Sequence, residues 1–194
     1  MIRVQLPDLV RTALFFGLIL HKAIWEILKR ADPPARRRSA VPLGPRLVKI
    51  LKILVLAFLL VQTLFLDILP ISGAPAQLHI VGGVLYLLGL SLAIAGRMQL
   101  GRNWLDLENF AVRPTQTIVD RGIYRYVRHP IYTGDLLLVT GLELVLRSWI
   151  VLAVVPLALV IVKQVLAEET LLSRAFPSYA RYCAETKRFI PFVV

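Results

Sequence analysis

Apolar residues dominate five stretches of the chain, and charged or turn-forming residues bound each stretch. The stretches cover residues 9–28, 47–69, 78–96, 134–146 and 149–166. A helix needs about 20 apolar residues to cross the hydrocarbon core of a bilayer, so the first three stretches predict transmembrane helices. Together the five predict an all-α integral membrane protein with about five transmembrane helices, the last two forming a helical hairpin.

The hairpin is predicted because its first arm is short. Residues 134–146 give a helix of about 20 Å at 1.5 Å per residue. Arg147 and Ser148 then interrupt the apolar run before residues 149–166 continue it. We expect the short arm to tilt or to be covered by neighbouring helices.

Small residues along the third stretch indicate close helix packing. This almost uncharged segment carries Gly82, Gly83, Gly89 and Ala93. Small side chains let helix backbones approach each other inside a membrane. The sequence does not identify the partner helix, because these residues are equally suited to contacts within one chain and between two copies.

Composition supports the membrane location and narrows the classes of partner. Hydrophobic residues make up 57% of the 194 residues, and the mean hydropathy is +0.70. The net charge of +11 fits basic loops beside anionic lipid headgroups. No zinc-finger spacing or aromatic RNA-binding signature accompanies that charge, so we expect no nucleic-acid partner.

The distribution of charge predicts the orientation. Residues 29–49 hold seven basic residues against one acid, and residues 97–128 hold six arginines against three acids. Residues 70–77, between the second and third apolar stretches, hold no charge. The positive-inside rule then places the amino terminus outside and the carboxy terminus in the cytoplasm.

Several common sites are not supported by the sequence. Cys183 is the single cysteine, which excludes an intrachain disulfide. The three histidines, His21, His79 and His129, lie on separate segments, so we expect no metal site. The chain also lacks a glycine-rich dinucleotide loop, a phosphate-binding loop and a serine-hydrolase elbow.

The polar segment between the third and fourth stretches is the best candidate for chemistry. It ends in Tyr124-Arg125-Tyr126-Val127-Arg128-His129-Pro130-Ile131-Tyr132-Thr133-Gly134. Pro130 favours an extended residue before it and a helix after it. A helix starting there presents free backbone N–H groups to an anionic or polar ligand at the membrane surface.

An acidic pair, Glu168-Glu169, closes the last apolar stretch. Acids at the carboxy-terminal end of a helix are unfavourable to its dipole, so this pair needs a compensating partner. Neighbouring arginines or a cationic ligand are the two candidates. Interfacial ionisable residues are functional candidates in membrane proteins.

These motifs resemble the isoprenylcysteine carboxyl methyltransferase family, in a prokaryotic-type form related to phospholipid methyltransferases. The Arg-His-Pro-x-Tyr-x-Gly run, the hairpin and the Glu-Glu pair carry the resemblance, which covers about residues 96–191. It implies an enzyme of the prokaryotic cell membrane that transfers methyl groups from S-adenosylmethionine, leaving S-adenosylhomocysteine. The implied division is residues 1–77 as an amino-terminal two-helix region and residues 78–194 as the methyltransferase core.

The resemblance also assigns roles to individual residues. It implies that Glu168 and Arg128 act in catalysis and that Gln164 contacts the substrate. Glu168 also belongs to the implied cofactor-binding set, whose other members are Asn109, Gln116, Thr117, Ile118, Val119, Tyr124, His129, Pro130 and Tyr132. The eukaryotic members place an arginine for the substrate carboxylate four residues before Glu168, where this chain has Gln164, which puts a prenylcysteine substrate in question.

The implied methyl transfer depends on placing the acceptor in line with the methyl group more than on acid–base catalysis, because a sulfonium methyl group is already activated. Tyrosine rings attract the sulfonium and Glu168 balances its charge. We expect membrane lipids and an apolar acceptor (a carboxylate, thiol or amine) as partners, the acceptor entering from the bilayer. Three alternatives stay open: a phospholipid N-methyltransferase, an NADPH-dependent sterol-reductase-like enzyme and a non-enzymatic lipid-binding protein.

Overall fold

The computed structural model describes residues 8–31, 43–73, 76–104 and 116–191, and every regular element in these ranges is helical. The six α-helices are α1 (Asp8–Ala31), α2 (Leu43–Phe65), α3 (Gln77–Leu100), α4 (Pro130–Val145), α5 (Val154–Ala175) and α6 (Tyr179–Glu185). Short 3₁₀ turns lie at Gly101–Asn103, Gly122–Arg125 and Trp149–Ala153. The predicted all-α fold is confirmed.

Within the described ranges, three helical segments are long and apolar enough to cross a membrane. They are Arg46–Phe65, Gln77–Asn103 and Trp149–Ala175. α1 has 24 residues but carries several charged side chains, and α4 has only 16 residues. The integral membrane fold is therefore confirmed, while the count of five spans stays a prediction.

α3 and α4 pack with their backbones in direct contact. A Cβ atom on Gly89 would lie 2.6 Å from the carbonyl oxygen of Gly134, and one on Gly134 would lie 2.9 Å from the Cα of Ala93. Two helical turns before Gly89 on α3, a Cβ on Gly82 would lie 2.8 Å from the carbonyl oxygen of Gly141. The small residues of α3 therefore pack within the chain.

Gly83 does not share this contact. A Cβ atom on Gly83 would meet nothing within 4 Å among the described residues. Gly82 and Gly89 are seven residues apart and lie on one helix face, whereas Gly83 is rotated by about 100° from Gly82. Within the chain, therefore, Gly83 does not make the close contact that was predicted for it, and a contact with a second copy stays a prediction.

The predicted hairpin between α4 and α5 is confirmed, and its turn is fixed by hydrogen bonds. Arg147 has a positive φ of 51°, and the Ser148 hydroxyl accepts a bond of 3.1 Å from the Ile150 amide. The same hydroxyl donates to the carbonyl of Ile68 at 3.0 Å. The turn is thus packed against the connection that follows α2.

Polar contacts join the first two helices to the rest of the bundle. The Tyr86 hydroxyl of α3 donates to the Leu14 carbonyl of α1 at 2.6 Å. The Gln62 amide of α2 donates to the Glu143 carboxylate of α4 at 2.9 Å, and both side chains are fully buried. The amino-terminal helices are therefore a packed part of the structure, and α1 is held directly against α3.

Candidate functional site

The polar motif forms the junction between the polar segment that follows α3 and α4. His129 has an extended φ of −124°, and α4 begins at Pro130 as predicted. The Arg128 amide donates to the carbonyl of Lys187 at 2.8 Å, and the His129 amide donates to that of Arg188 at 3.1 Å. The carboxy-terminal tail therefore runs beside the motif and holds it in an extended form.

A pocket opens between this motif, the carboxy-terminal half of α5 and the residues that follow α3. Its empty volume is about 590 Å³, part of which is open to solvent. The predicted site residues that line it are Gln116, Thr117, Ile118, Val119, Tyr124, Arg128, His129, Tyr132 and Glu168. Pro130 and Gln164 lie just behind this lining, and Asn109 lies outside the described residues.

Glu168 faces the pocket and is held by a tyrosine. The Tyr132 hydroxyl donates to a Glu168 carboxylate oxygen at 3.2 Å, and the Gln164 amide donates to the same hydroxyl at 2.9 Å. No basic side chain of the described ranges forms an ion pair with Glu168. This carboxylate therefore faces the pocket without a charged partner among the described residues.

Glu169, the second acid of the pair, has the opposite environment. Arg188 donates to it at 2.7 Å, Arg128 donates to it at 3.0 Å, and the His129 ring nitrogen lies 3.2 Å from it. The bond from Glu169 raises the pKa of Arg188 above its ordinary value. Glu169 is thus the centre of an ion-pair cluster that fastens α5 to the motif and the tail.

The Arg128 guanidinium makes most of its hydrogen bonds within this ion-pair cluster and to the nearby backbone. Besides Glu169, its guanidinium donates to the backbone carbonyls of Cys183 and Thr186. The fork geometry of arginine is suited to joining several acceptors at once. Arg128, which lies just before α4 and lines the pocket, therefore bonds to α5, to α6 and to the residue that follows α6.

Three tyrosines form much of the polar-aromatic wall. Burial raises the pKa of the Tyr124, Tyr179 and Tyr182 hydroxyls well above the ordinary value, so all three stay protonated donors. The Tyr124 hydroxyl donates to the Gly96 carbonyl at 3.2 Å, and the Tyr182 hydroxyl donates to the Tyr124 carbonyl at 2.8 Å. The wall is therefore pre-formed.

The opposite wall is shaped by Asn103. Its side-chain oxygen accepts from the Thr117 amide at 2.8 Å, and its backbone carbonyl accepts from the Gln116 amide group at 2.9 Å. These bonds hold the start of the 116–119 segment against the end of α3. Backbone that lines a ligand pocket can offer its own N–H and C=O groups for recognition.

Sequence reasoning did not single out several of these lining residues. They are Leu100, Asn103, Trp104, Leu172, Tyr179 and Tyr182. Tyr179 and Tyr182 lie within residues 96–191, the range that the family resemblance covers, and their spacing of three residues on α6 is the signal that was available. Glu168 and Glu169 have different environments because they lie on different faces of α5, and the sequence does not indicate which face meets the pocket.

The sequence profile of the phospholipid methyltransferase family matches residues 78–178, which is half of the chain. The chain belongs to the phospholipid methyltransferase family. The matched segment contains α3, the motif, the hairpin and the acidic pair, and so it contains most of the pocket lining. The family resemblance inferred from the sequence is confirmed.

Two curated bacterial relatives resemble part of the chain. The cobalt-zinc-cadmium resistance protein CzcN of Cupriavidus metallidurans is 36% identical over 107 residues, 54% of this chain and 47% of the relative. The nickel-cobalt-cadmium resistance protein NccN of Alcaligenes xylosoxydans xylosoxydans is 30% identical with the same coverage. The chain spans about half the length of these relatives.

A solved structure shares the fold over nearly the whole chain. It is the eukaryotic intramembrane Ras methyltransferase, an isoprenylcysteine carboxyl methyltransferase, with a TM-score of 0.64 and 18% sequence identity. The similarity covers 98% of this chain and 70% of that one. The fold of this phospholipid methyltransferase family member is therefore that of an intramembrane methyltransferase.

Proposed function

We propose that the chain is an integral membrane methyltransferase that uses S-adenosylmethionine and acts on a lipidic or small apolar acceptor. Family membership supports methyl transfer over the NADPH-dependent and non-enzymatic alternatives. The observation that carries the proposal is the difference in partners between the two adjacent acids. Glu168 lines the pocket without a basic partner among the described residues, while the adjacent Glu169 is neutralised by Arg128 and Arg188.

This arrangement fits a ligand that carries a positive sulfonium. A buried carboxylate without a counter-ion is costly, and a cationic ligand removes that cost. Tyr124, Tyr132, Tyr179 and Tyr182 surround the same space and offer electron-rich ring faces to a cation. When bound, S-adenosylmethionine supplies a methyl group that is already activated for transfer.

The roles of the other predicted residues follow from their contacts. We assign Gln116, Thr117, Ile118, Val119 and His129 to the part of the pocket lining that contacts the methyl donor. Arg128 is a positioning residue, because its guanidinium joins Glu169 to the backbone near Thr186. Asn109 stays a sequence-based candidate.

Gln164 marks the acceptor side of the site. It donates to Tyr132, whose hydroxyl in turn donates to Glu168. A neutral amide at this position does not provide the strong attraction that a guanidinium gives to a carboxylate. We therefore assign Gln164 to acceptor contact, with the acceptor arriving from the bilayer and the methyl donor from the cytoplasm.

The decisive test compares two ligands that differ in charge at sulfur. S-adenosylmethionine carries the sulfonium, whereas S-adenosylhomocysteine is neutral there, and calorimetry on detergent-purified protein gives both dissociation constants. Glu168→Gln should weaken S-adenosylmethionine binding by about 10- to 150-fold, since a bond to a charged group contributes about 1.5–3 kcal/mol. Binding of S-adenosylhomocysteine should weaken much less.

Glu185→Gln is the matched control. Glu185 is an exposed acid on α6 that pairs with Arg181 at 2.9 Å, so its loss should change neither constant. Absence of binding for both ligands to the folded wild-type protein would disprove the proposed function. Equal weakening of both ligands by Glu168→Gln would contradict the role given to its charge.

A further inference from the structure

The carboxy-terminal tail, residues 186–191, contacts the residues that line the pocket but does not line the pocket itself. Besides the two amide bonds from the motif described above, the Lys187 amide donates to the Tyr126 carbonyl at 3.0 Å. The Thr133 hydroxyl donates to the Phe189 carbonyl at 3.2 Å. The tail is therefore held along the motif by its main chain, which fixes where its side chains lie.

Arg188 is the tail residue whose side chain reaches α5. Its Nη2 donates to Oε2 of Glu169 at 2.7 Å, and its Nε donates to the same oxygen at 3.1 Å. Arg128 and His129 approach the other oxygen, Oε1, at 3.0 and 3.2 Å. Among the described residues, Oε2 accepts hydrogen bonds from Arg188 alone. The two oxygens of one carboxylate are thus held by different parts of the chain.

The contact of Glu169 with His129 continues this connection to the pocket. A carboxylate only accepts hydrogen bonds, so the bond at 3.2 Å requires the hydrogen on Nε2 of His129. The buried His129 ring also packs against the rings of Tyr132 and Phe189, with centroids 5.8 and 6.1 Å apart. His129 and Tyr132 line the pocket. The place of the Glu169 carboxylate therefore determines how the His129 ring is held in the lining.

We propose that Arg188 is a positioning residue of the donor pocket, which acts on methyl-donor binding through Glu169 and His129. The inference rests on the proposed methyltransferase function. Without Arg188, Oε2 of Glu169 loses its donors within the described ranges, and the carboxylate rotates to satisfy that oxygen. The rotation moves Oε1 away from His129, and the pocket loses the ring orientation that the donor requires.

A purely structural ion pair makes a different prediction. If Arg188 only joined the tail to α5, its loss would lower the thermal midpoint and nothing else. Well below that midpoint the folded protein would keep its pocket and its affinity. A positioning residue instead changes the dissociation constant of the folded protein, since the geometry of the lining differs in the variant.

A double-mutant cycle on the full chain in detergent separates these two roles. Calorimetry gives the dissociation constant of S-adenosylhomocysteine for wild type, Arg188→Gln, Glu169→Gln and the double variant. All four are measured well below their thermal midpoints, which circular dichroism supplies. Arg188→Gln should raise the dissociation constant at least about fivefold, the lower end of typical coupling between separate sites. In the Glu169→Gln background the same substitution should change it less than about twofold, because the route through Glu169 is already lost.

Two further variants test the specificity of the effect. Arg181→Gln makes the same change in another arginine–glutamate pair, since Arg181 donates to Glu185 at 2.9 Å and both side chains are exposed. It should leave the dissociation constant within about twofold of wild type, because exposed pairs contribute little. Arg188→Lys should recover most of the affinity lost in Arg188→Gln, since one ammonium can still donate to Oε2 of Glu169.

The possible results point to different conclusions. An unchanged dissociation constant in Arg188→Gln would overturn the positioning role, even if the thermal midpoint falls. An equal loss of affinity in the Glu169→Gln background, in Arg181→Gln or in Arg188→Lys would overturn it as well. If the folded wild-type protein does not bind S-adenosylhomocysteine at all, the proposed function fails and this inference fails with it.

Discussion

Gly89 provides the sharpest test of how the site is held together. Its Cα faces the backbone of α4, and a Cβ added there would lie 2.6 Å from the Gly134 carbonyl oxygen and 2.8 Å from the Leu138 Cα. Real Cβ atoms do not approach backbone atoms this closely. Gly89→Ala therefore forces α3 and α4 apart, because no flexible side chain is present to move away.

The cost can be estimated from overpacking in other cores. Inserting a methyl group into a tightly packed interior costs about 1–3 kcal/mol, and a clash with backbone on both sides favours the upper end. Alanine recovers up to about 1 kcal/mol through its better helix propensity. A net loss of about 2 kcal/mol corresponds to a thermal midpoint lower by about 4–8 °C for a chain of this size.

Gly83→Ala is the matched control on the same helix. It makes the same chemical change where a Cβ meets nothing within 4 Å of the described residues. Thermal unfolding in detergent, followed by circular dichroism, should show a midpoint equal to or slightly above wild type for this variant. Equal midpoints for Gly89→Ala and Gly83→Ala would refute the close packing of α3 against α4.

Two further substitutions test the polar interior. Gln62→Leu should lower stability by about 1–3 kcal/mol in thermal unfolding, because it leaves the buried Glu143 without its amide donor. Adding Glu143→Leu should recover most of that loss, and no recovery would contradict the pairing. Arg128→Lys should lower both stability and S-adenosylhomocysteine affinity, because a single ammonium does not replace a fork that joins Glu169 to Thr186. A wild-type affinity and midpoint in this variant would show that the fork is dispensable.

The helical framework was predictable from local pattern alone. Apolar length predicts the helices, Pro130 predicts the start of α4, and Arg147-Ser148 predicts the hairpin turn. Each of these depends on a few consecutive residues. The candidate site could also be assigned, because nine of the predicted site residues, four of them in the polar run, line one pocket.

Helix rotation and long-range contacts could not be predicted in this way. Glu168 and Glu169 are adjacent in sequence, and only the rotation of α5 decides that one faces the pocket while the other meets Arg128 and Arg188. The contact of Gly82 but not Gly83 has the same origin. The division at residue 77 stays a prediction.

The packing of α3 against α4 also explains how the pocket can be rigid at a membrane surface. The last close contact of the pair lies at Gly96, where a Cβ would be 3.3 Å from the Pro130 ring. The Gly96 carbonyl accepts the Tyr124 hydroxyl, so the helix contact and the pocket wall meet at one residue.

The helices that contact the pocket lining fall into two groups, those inside the segment matched by the family profile and those outside it. α3, α4 and α5 lie within the segment that the family profile matches, and they hold the proposed donor pocket. α1 precedes that segment, yet Trp25 reaches the pocket-lining Trp104 and His21 reaches Asp135. The donor pocket thus lies mainly in the matched segment, while α1 packs from outside that segment against Trp104 of the lining.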